Sequence, residues 1–281
     1  MITKITLKNF KCFKDEVEFD FGGKNLVTIS GNNSTGKTSF MESILFLLRK
    51  LTKDEDTKLE YYLHKGENSD LTVASSKYEF DINGRKMEYG IDFTDEKIIW
   101  EYLYIDDGKM LERGEEKAIL YLNKPIVFEV EDSQMLFLKK LYLNTRFEGN
   151  DLLKKWFDSI KRFLWMDIFS GEIYMCNGKR LMKDVDIKTF DLENGIPLEM
   201  DSRSNHTYAR IMPFIENMVQ KDSIMLIDDL NRMFDEKNQE KILKYVLENN
   251  KGTQFFVTCK SDVFQINEDV VKDEELIIKV M

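Results

Sequence analysis

A glycine-rich segment with the spacing G-x-x-x-x-G-K-T runs from Gly31 to Thr38. Glycines let the backbone turn tightly, so that successive N–H groups can approach an anion closely. A lysine at this position can reach the outer phosphates of a nucleoside triphosphate, and the hydroxyl that follows it can ligate Mg²⁺. The segment predicts a phosphate-binding loop; the alternative is a glycine-rich turn that arose by chance. The predicted nucleotide-binding residues are Gly31, Asn33, Ser34, Thr35, Gly36, Lys37, Thr38 and Ser39.

Two adjacent acids follow an apolar run far downstream, in the sequence "SIMLIDD" from Ser223 to Asp229. A buried strand that ends in carboxylates can present them beside a bound triphosphate. We predict that Asp228 holds Mg²⁺, together with the hydroxyl of Thr38. Asp229 is the candidate general base that polarises the attacking water. The alternative is a pair of acids that only caps the next turn.

The segments on either side of the loop support its interpretation. The run "NLVTIS" (25–30) is short and rich in β-branched residues, which predicts a buried strand. The run "TSFMESILFLLRKL" (38–51) has apolar residues at helical spacing, namely Phe40, Ile44, Leu47, Leu48 and Leu51. The loop therefore lies between a strand and a helix, which is the context that this motif requires.

The remaining patterns predict one domain over residues 1–281. An antiparallel β-lobe is indicated by alternating apolar residues around two turns, at Asn83–Gly84 and at Asp106–Gly108. Apolar residues three and four positions apart in "EDSQMLFLKKLYL" and "DLLKKWFDSIKRFLWMDIF" indicate helices. The predicted parts are a nucleotide-binding core over 1–52 and 200–281, the β-lobe over 77–130 and a helical lobe over 131–183.

Composition narrows the class of protein. The net charge is −10, which argues against sequence-independent binding of nucleic acid, although a local basic surface stays possible. Three widely spaced cysteines and two histidines leave little material for a disulfide framework, a metal knuckle or a histidine triad. The N-terminus lacks a continuous apolar signal segment, and no apolar run is long enough to cross a bilayer. We therefore expect a cytoplasmic protein with no membrane contact.

The chain resembles the prokaryotic ABC-type AAA ATPases, which are related to the SMC, RecF-like and overcoming-lysogenisation-defect ATPases. Its opening block, "ITLKNFKCFKDEVEFDF" followed by the glycine-rich loop, looks like the N-terminal block of that family. The strands "YEFDINGRKMEYGIDF" and "KIIWEYLYI" are similar to the family's β-lobe, and "MLIDDLNRMFDEKNQEKILKYVL" with "TQFFVTCKSDVF" to its Walker-B, D-loop and switch block. The resemblance covers nearly the whole chain. It implies an α/β fold of the P-loop NTPase class, an ABC-ATPase head with an antiparallel β-lobe and a helical insertion.

The resemblance also implies ligands and partners. It implies ATP and Mg²⁺, with the nucleotide sandwiched between the loop of one subunit and a signature loop of a second subunit, in a homodimer or heterodimer. It implies a nucleotide-gated switch that acts on an effector protein on a separate chain, and many members of the family belong to antiphage defence systems. Lys11 and Asn33 are candidate adenine contacts by their positions in the family-like N-terminal block.

Three positions depart from the family's pattern. The signature loop usually contains glycine, but the residues here are Ser202, Arg203, Ser204 and Asn205, which could equally form a simple helix N-cap. Asp229 stands where the family usually has glutamate, and it is one methylene shorter. Cys259, followed by Lys260, stands where the family has its switch histidine. The sequence therefore predicts ATP binding and slow hydrolysis.

Two alternatives stay open beside a dimeric ATPase. The first is a catalytically weakened subunit that binds ATP as a structural or sensor component. The second is a RecF-like ATPase of DNA repair, which would need a basic DNA-contacting surface that the net charge of −10 does not favour.

Overall fold

The computed structural model describes residues 1–52, 58–66, 72–144, 151–160, 163–167, 172–175, 203–259 and 275–279. The chain divides into two compact units, whereas its sequence predicts one domain. Unit 1 comprises Met1–Gly23 and Thr38–Asp158, and unit 2 comprises Lys24–Lys37 and Ser159–Met281. None of the helices in the described part of the chain is long and apolar enough to cross a membrane.

The elements are numbered in chain order. The strands are β1 (Ile2–Lys8), β2 (Val17–Asp20), β3 (Leu26–Ser30), β4 (Ala74–Ile82), β5 (Arg85–Phe93), β6 (Ile98–Ile105), β7 (Gly108–Arg113), β8 (Lys117–Tyr121), β9 (Pro125–Glu129), β10 (Phe163–Asp167), β11 (Glu172–Met175), β12 (Ile224–Ile227), β13 (Gln254–Cys259) and β14 (Glu275–Lys279). The helices are α1 (Lys37–Thr52), α2 (Phe137–Asn144), α3 (Asp151–Ile160), α4 (Arg203–Met218), α5 (Leu230–Met233) and α6 (Glu236–Asn249), and a short 3₁₀ turn spans Leu59–Tyr62.

Unit 1 is built on an antiparallel sheet with the strand order β2-β1-β4-β5-β6-β7-β8-β9. The predicted hairpin turn at Asn83–Gly84 is confirmed: both residues have positive φ, and Ile82 pairs with Arg85 across a two-residue loop. The second predicted turn, Asp106–Gly108, is also confirmed, but only its first two residues form the turn. Asp106 and Asp107 take the positive-φ positions, so that the glycine that follows them already belongs to β7.

Helix α1 is buried around most of its circumference in unit 1. All five residues of its predicted apolar face are buried, as expected, but Met41, Leu45 and Phe46 are buried as well. Phe46 stacks on Phe93 of β5 with ring centroids 4.9 Å apart. Tyr78 of β4 donates a hydrogen bond to the carbonyl of Ser43 at 2.8 Å. A helix that is apolar on nearly all sides belongs in a core, which is where α1 lies.

A charged cluster is fully buried in unit 1, and we call it the Glu101 cluster (Glu101, Tyr89 and Arg113). The Glu101 carboxylate accepts hydrogen bonds from the backbone N–H groups of Phe137 and Leu138, at 2.7 and 2.9 Å, and from the Tyr89 hydroxyl at 2.8 Å. The guanidinium of Arg113 lies 3.9 Å from the same carboxylate. The two backbone donors are the first N–H groups of α2, which no carbonyl within the helix can satisfy. Glu101 therefore caps α2 from a distant strand.

Unit 2 is built on a mostly parallel sheet with the order β11-β10-β12-β13-β3-β14. Strands β10, β12, β13, β3 and β14 run parallel, and β11 pairs antiparallel with β10. Every residue of β3, β12 and β13 is buried, which explains their unbroken apolar character. The strand that leads into the glycine-rich loop is therefore separated by β13 from the strand that leads into the acid pair.

Helices α4 and α6 pack with this sheet around a shared apolar core. Ile215 of α4, Leu243 of α6 and Phe255 of β13 belong to one buried cluster. The side chain of Asp235 accepts a hydrogen bond from the backbone N–H of Asn238 at 2.9 Å and so caps α6.

The predicted helical lobe over 131–183 contains α2 and α3, but helix was the wrong prediction for Phe163–Asp167 and for Glu172–Met175, which form β10 and β11. The apolar spacing in "KRFLWMDIF" is typical of a helix, yet these residues are aromatic and apolar enough to suit a strand. Parallel pairing of β10 with β12 decides the outcome. Short apolar runs fit either element, and tertiary pairing overrides their local preference.

Candidate functional site

The predicted loop and the predicted acid pair lie at the same edge of the unit 2 sheet. Strands β3, β13 and β12 are parallel neighbours, and their pairing continues to Ser30 with Cys259 and to Ile227 with Val257. Their carboxyl ends therefore meet at one edge. In open α/β sheets this is the edge at which ligands bind.

The loop from Gly31 to Lys37 has the backbone of a tight anion-binding turn. Gly36 has φ +103° and Ser34 has φ +66°, whereas Gly31 has no such conformation. The glycine that needs its conformational freedom is therefore Gly36, and a residue with a side chain would be strained there. The Thr35 hydroxyl donates to the carbonyl of Asn32 at 3.0 Å and closes the turn from within.

Lys37 is held by the loop itself. Its Nζ donates to the carbonyl oxygens of Gly31 and Asn32 at 2.7 and 2.6 Å, and the residue is only 7% exposed. An ammonium group has three donors, so these two bonds fix its position and leave one N–H for a phosphate oxygen. The charge is thus set in place before any ligand arrives.

Helix α1 begins at Lys37, directly after the loop. The first N–H groups of a helix lack intrahelical partners and carry a partial positive charge, which favours an anion. No acidic residue occupies the first turn of α1, so none competes for these groups. Thr38 is exposed, as are Asn33 and Ser34 of the loop, and Ser39 is partly exposed.

The acid pair is organised by a residue that the sequence did not single out. We call Asp228, Asp229 and Thr258 the acid-pair cluster. The Thr258 hydroxyl donates to Asp228 Oδ1 at 2.5 Å and accepts a hydrogen bond from the backbone N–H of Asp229 at 2.7 Å. The strand register could have indicated this role: Val257 pairs with Ile227, and Thr258 and Asp228 are the residues that follow them. Finding it required knowing that β12 and β13 are neighbours.

Asp229 has an unusual backbone conformation. Its φ and ψ are +55° and +52°, the left-handed region that aspartate and asparagine tolerate better than most residues. It stands at the N-cap position of α5, but its side chain makes no capping hydrogen bond. That finding weighs against the alternative that it only caps a turn. Instead its carboxylate lies 3.6 Å from the guanidinium of Arg232 and stays 24% exposed.

The residue at the expected switch position points elsewhere. Cys259 is fully buried, and its sulfur lies 4.0 Å from the carbonyl oxygen of Ile29. Successive side chains of a strand point to opposite faces, so Thr258 and Cys259 diverge. Thr258 is therefore the residue of β13 that contacts the acid pair. Lys260 lies outside the described residues.

The predicted signature residues are only partly described. Ser202 lies outside the described residues, and Ser204 lies in the first turn of α4, where its side chain is likewise outside them. The amide oxygen of Asn205 accepts a hydrogen bond from Asn238 of α6 at 2.7 Å. In this structure Asn205 thus joins the first turns of two helices.

Lys11, a candidate adenine contact, belongs to unit 1 and has protein partners there. Its Nζ lies 3.0 Å from a carboxylate oxygen of Glu42 and 3.0 Å from the ring centroid of Tyr61. Burial lowers the pKa of the Lys11 ammonium, against the opposing effect of Glu42. Tyr61 in turn donates a hydrogen bond to Glu42.

Comparison with known proteins gives a family and a fold. A family model described as an AAA domain matches residues 4–279. The structure of an SmcHead bound to the C-winged helix domain of ScpA is 14% identical, with a TM-score of 0.50, over 95% of this chain and 91% of that chain. The SMC head domain from Thermotoga maritima is 15% identical, with a TM-score of 0.47, over 100% of this chain and 94% of that chain. No curated protein matches the chain.

The first of these structures bears on the predicted fold. At this low identity it supports the fold and nothing more specific. The predicted class, an α/β P-loop fold of the ABC-ATPase head type with an antiparallel lobe, is confirmed.

Proposed function

The chain belongs to the AAA domain family, and we propose that it binds Mg²⁺-ATP at the loop from Gly31 to Lys37 and hydrolyses it slowly with the help of Asp229. The observation that carries this proposal is the arrangement of Lys37 and the acid-pair cluster. Lys37, whose positive charge is held by loop carbonyls, comes after the carboxyl end of β3. Asp228 and Asp229, the two adjacent carboxylates, come directly after β12 in the same sheet.

The loop residues hold the triphosphate in this proposal. Backbone N–H groups of the loop and of the start of α1 face the phosphate oxygens, and Lys37 supplies the fixed positive charge. Preorganised donors of this kind need no rearrangement when the ligand binds, so the affinity is not reduced by ordering the loop.

The donors predicted for Mg²⁺ fit that ion. Carboxylate and hydroxyl oxygens are the ligands Mg²⁺ prefers, and Asp228 offers a carboxylate that is 7% exposed and oriented by a hydrogen bond. No group of three or more metal-binding side chains lies together among the described residues, which suits an ion held by one or two protein groups and by phosphate. Bound there with Thr38 and Asp228, Mg²⁺ would neutralise charge on the phosphates.

Asp229 is the proposed general base. Its carboxylate is partly exposed and can accept a hydrogen bond from a water molecule. Arg232 lies 3.6 Å away and restrains the direction of the carboxylate. Aspartate is one methylene shorter than the glutamate of the family's pattern, and a displacement of about 1 Å at a reacting group can slow a reaction on the order of 10²-fold. We therefore expect slow turnover.

We further propose that the protein acts as a nucleotide-gated dimer. The support for it is the resemblance to the ABC-type ATPases, in which a second subunit completes the site. Ser202, Ser204 and Asn205 are the residues that would contact the partner's nucleotide. The SmcHead structure contains a separate protein, the C-winged helix domain of ScpA. By analogy we propose an effector on a second polypeptide here.

The first experiment compares Lys37→Ala with Lys251→Ala, an exposed lysine of the same unit. We measure ATP binding by calorimetry and steady-state phosphate release with Mg²⁺. We expect Lys37→Ala to raise the Kd for ATP on the order of 10²-fold, because removing one partner of a charge pair costs several kcal/mol. Phosphate release should fall to background. Lys251→Ala should match the wild-type protein in both measurements.

The outcomes separate the possibilities. If the wild-type protein binds no ATP, the proposal is wrong. If phosphate release survives in Lys37→Ala, a contaminating enzyme is responsible for it.

A second candidate function is an ATP-binding sensor subunit with no turnover. The observation that favours it is Cys259, whose buried side chain puts no hydrolytic group at the switch position. A single-turnover assay with protein in excess over ATP decides between the two. Bound ATP recovered unchanged after hours indicates a sensor, and conversion to ADP that depends on Asp229 indicates a slow ATPase.

A further inference from the structure

Thr258 makes contact with both acids of the candidate site at once. It lies on β13, is fully buried, and stands beside the end of β12. Its hydroxyl donates to the side chain of Asp228 and accepts from the main chain of Asp229, at 2.5 and 2.7 Å.

The direction of both hydrogen bonds is fixed by chemistry. A backbone N–H can only donate, so the Thr258 oxygen must accept from Asp229. The single hydroxyl proton is then left for the carboxylate of Asp228. One hydroxyl therefore sets the direction of the first carboxylate and the main-chain position of the second acid. It also anchors Asp229 at positive φ, where the backbone needs support from its surroundings.

We propose that Thr258 is a positioning residue that aligns Asp228 and Asp229 for hydrolysis. This inference rests on the proposed function, since it assigns Asp228 to Mg²⁺ and Asp229 to water. Thr258 touches neither ligand and acts only through the two acids.

The same strand provides a matched control. Thr253 immediately precedes β13 at its amino end, and it is also fully buried and fully hydrogen-bonded. Its hydroxyl contacts the carbonyl oxygens of Met218 and Lys221 at 2.5 Å each, and Ser223 at 2.8 Å, but no acid. Valine has the shape of threonine without the hydroxyl. Thr253→Val and Thr258→Val thus remove one buried hydroxyl just before the start of β13 and one near its end.

The experiment measures three quantities for the wild-type protein, Thr258→Val, Thr258→Ser and Thr253→Val. They are the kcat for phosphate release, the Kd for ATP without Mg²⁺, and the factor by which Mg²⁺ tightens that Kd. Melting temperatures report the general cost of removing a buried hydroxyl.

We expect Thr258→Val to lower kcat on the order of 10²-fold, because it releases both acids from their aligned positions. The Kd without Mg²⁺ should stay within about twofold of wild type, since loop contacts govern it, while the gain from Mg²⁺ shrinks. Thr258→Ser keeps the hydroxyl and should restore most of the activity. Thr253→Val should lower the melting temperature to a similar extent and leave kcat and the Mg²⁺ gain unchanged.

Each outcome bears on a definite claim. Equal kcat and equal Mg²⁺ gain in Thr258→Val and Thr253→Val overturn the positioning role while leaving the proposed function intact. If the wild-type protein binds ATP but does not hydrolyse it, the alignment of Asp229 for hydrolysis is overturned, and an unchanged Mg²⁺ gain in Thr258→Val overturns the alignment of Asp228 as well. If it binds no ATP, the proposed function fails and this inference fails with it. Should Thr258→Val not fold, Thr258→Ala replaces it in the same comparison.

Discussion

Two clusters of this protein place a carboxylate beside a hydroxyl in a buried setting, and they differ in what completes them. In the Glu101 cluster of unit 1, the carboxylate receives a Tyr89 hydroxyl, two backbone N–H groups and a nearby guanidinium. In the acid-pair cluster of unit 2, Asp228 receives the Thr258 hydroxyl at the end of a strand, and the carboxylate beside it is 24% exposed. The first cluster is closed, and the second opens at the sheet edge.

The difference distinguishes a carboxylate with a structural role, that of Glu101, from one that is available for a reaction, that of Asp229. Glu101 is fully buried, so the protein must supply the partners of its carboxylate, and it does so by capping α2 with it, whereas Nε and Nη1 of the buried Arg113 have no hydrogen-bond partner among the described residues. Asp229 keeps part of its carboxylate available to solvent and holds its backbone in a strained region. Burial of a charged group is therefore a poor guide to function by itself. What distinguishes the two clusters is whether solvent or a ligand can reach the carboxylate.

The largest expected effect is on the open cluster. Asp229→Asn keeps the shape of the side chain and the tolerance for positive φ, but it removes the basic carboxylate. We expect kcat for phosphate release to fall about 10²- to 10⁴-fold, the range for loss of a general base, with ATP affinity and melting temperature unchanged. Glu216→Gln, an exposed acid on α4, serves as the control and should behave as wild type. Unchanged turnover in Asp229→Asn would remove this residue from the chemistry.

The second largest expected effect is a loss of stability when the closed cluster, the Glu101 cluster, is changed. Glu101→Ala leaves a buried guanidinium without its carboxylate and two N–H groups of α2 without an acceptor. Breaking a buried pair from one side typically lowers the free energy of unfolding by about 3–5 kcal/mol. Denaturant unfolding should show this loss, whereas Glu129→Ala, on the exposed strand β9, should change little.

A small loss in Glu101→Ala, below about 1 kcal/mol, would mean that water replaces the carboxylate. The cluster would then be less closed than its geometry indicates. That result would weaken the contrast with the acid-pair cluster directly.

The sequence predicted features that depend on neighbours along the chain. The loop from Gly31 to Thr38 follows from its spacing, and the turn at Asn83–Gly84 follows from a dipeptide that suits positive φ. The helical face of α1 follows from its periodicity. In each case the residues that determine the structure are within a few positions of one another.

Features that depend on distant pairing could not be predicted in the same way. Phe163–Asp167 is a strand because β12 lies beside it, and Thr258 matters because β13 lies beside β12. Glu101 caps a helix that begins 36 residues later, at Phe137. The switch position shows the same limit, since only the alternation of side chains along β13 turns Cys259 away from the acids.

The smallest expected effect concerns the pH dependence of the closed cluster. Burial raises the pKa of the Glu101 carboxyl above its ordinary value of 4.5, and the backbone N–H groups, Arg113 and Tyr89 only partly oppose this. Between the ordinary and the raised value, the unfolded chain ionises while the folded one stays protonated. Rising pH therefore favours unfolding through this group, and its contribution to stability is complete only below about pH 4.5.

Glu101→Gln cannot titrate and isolates this contribution. The variant should be less stable than wild type at low pH, because its amide cannot accept both α2 N–H bonds, and the deficit should shrink as pH rises through the window. Glu131→Gln gives a control of opposite sign, since the ion pair with Lys140 lowers the pKa of Glu131. The stability deficit of Glu131→Gln should grow with pH.

A stability deficit that grows with pH in Glu101→Gln as well would show that Arg113 and the helix N–H groups outweigh the effect of burial on the pKa of Glu101. The closed cluster would then hold an ionised carboxylate, and the two clusters would differ only in access.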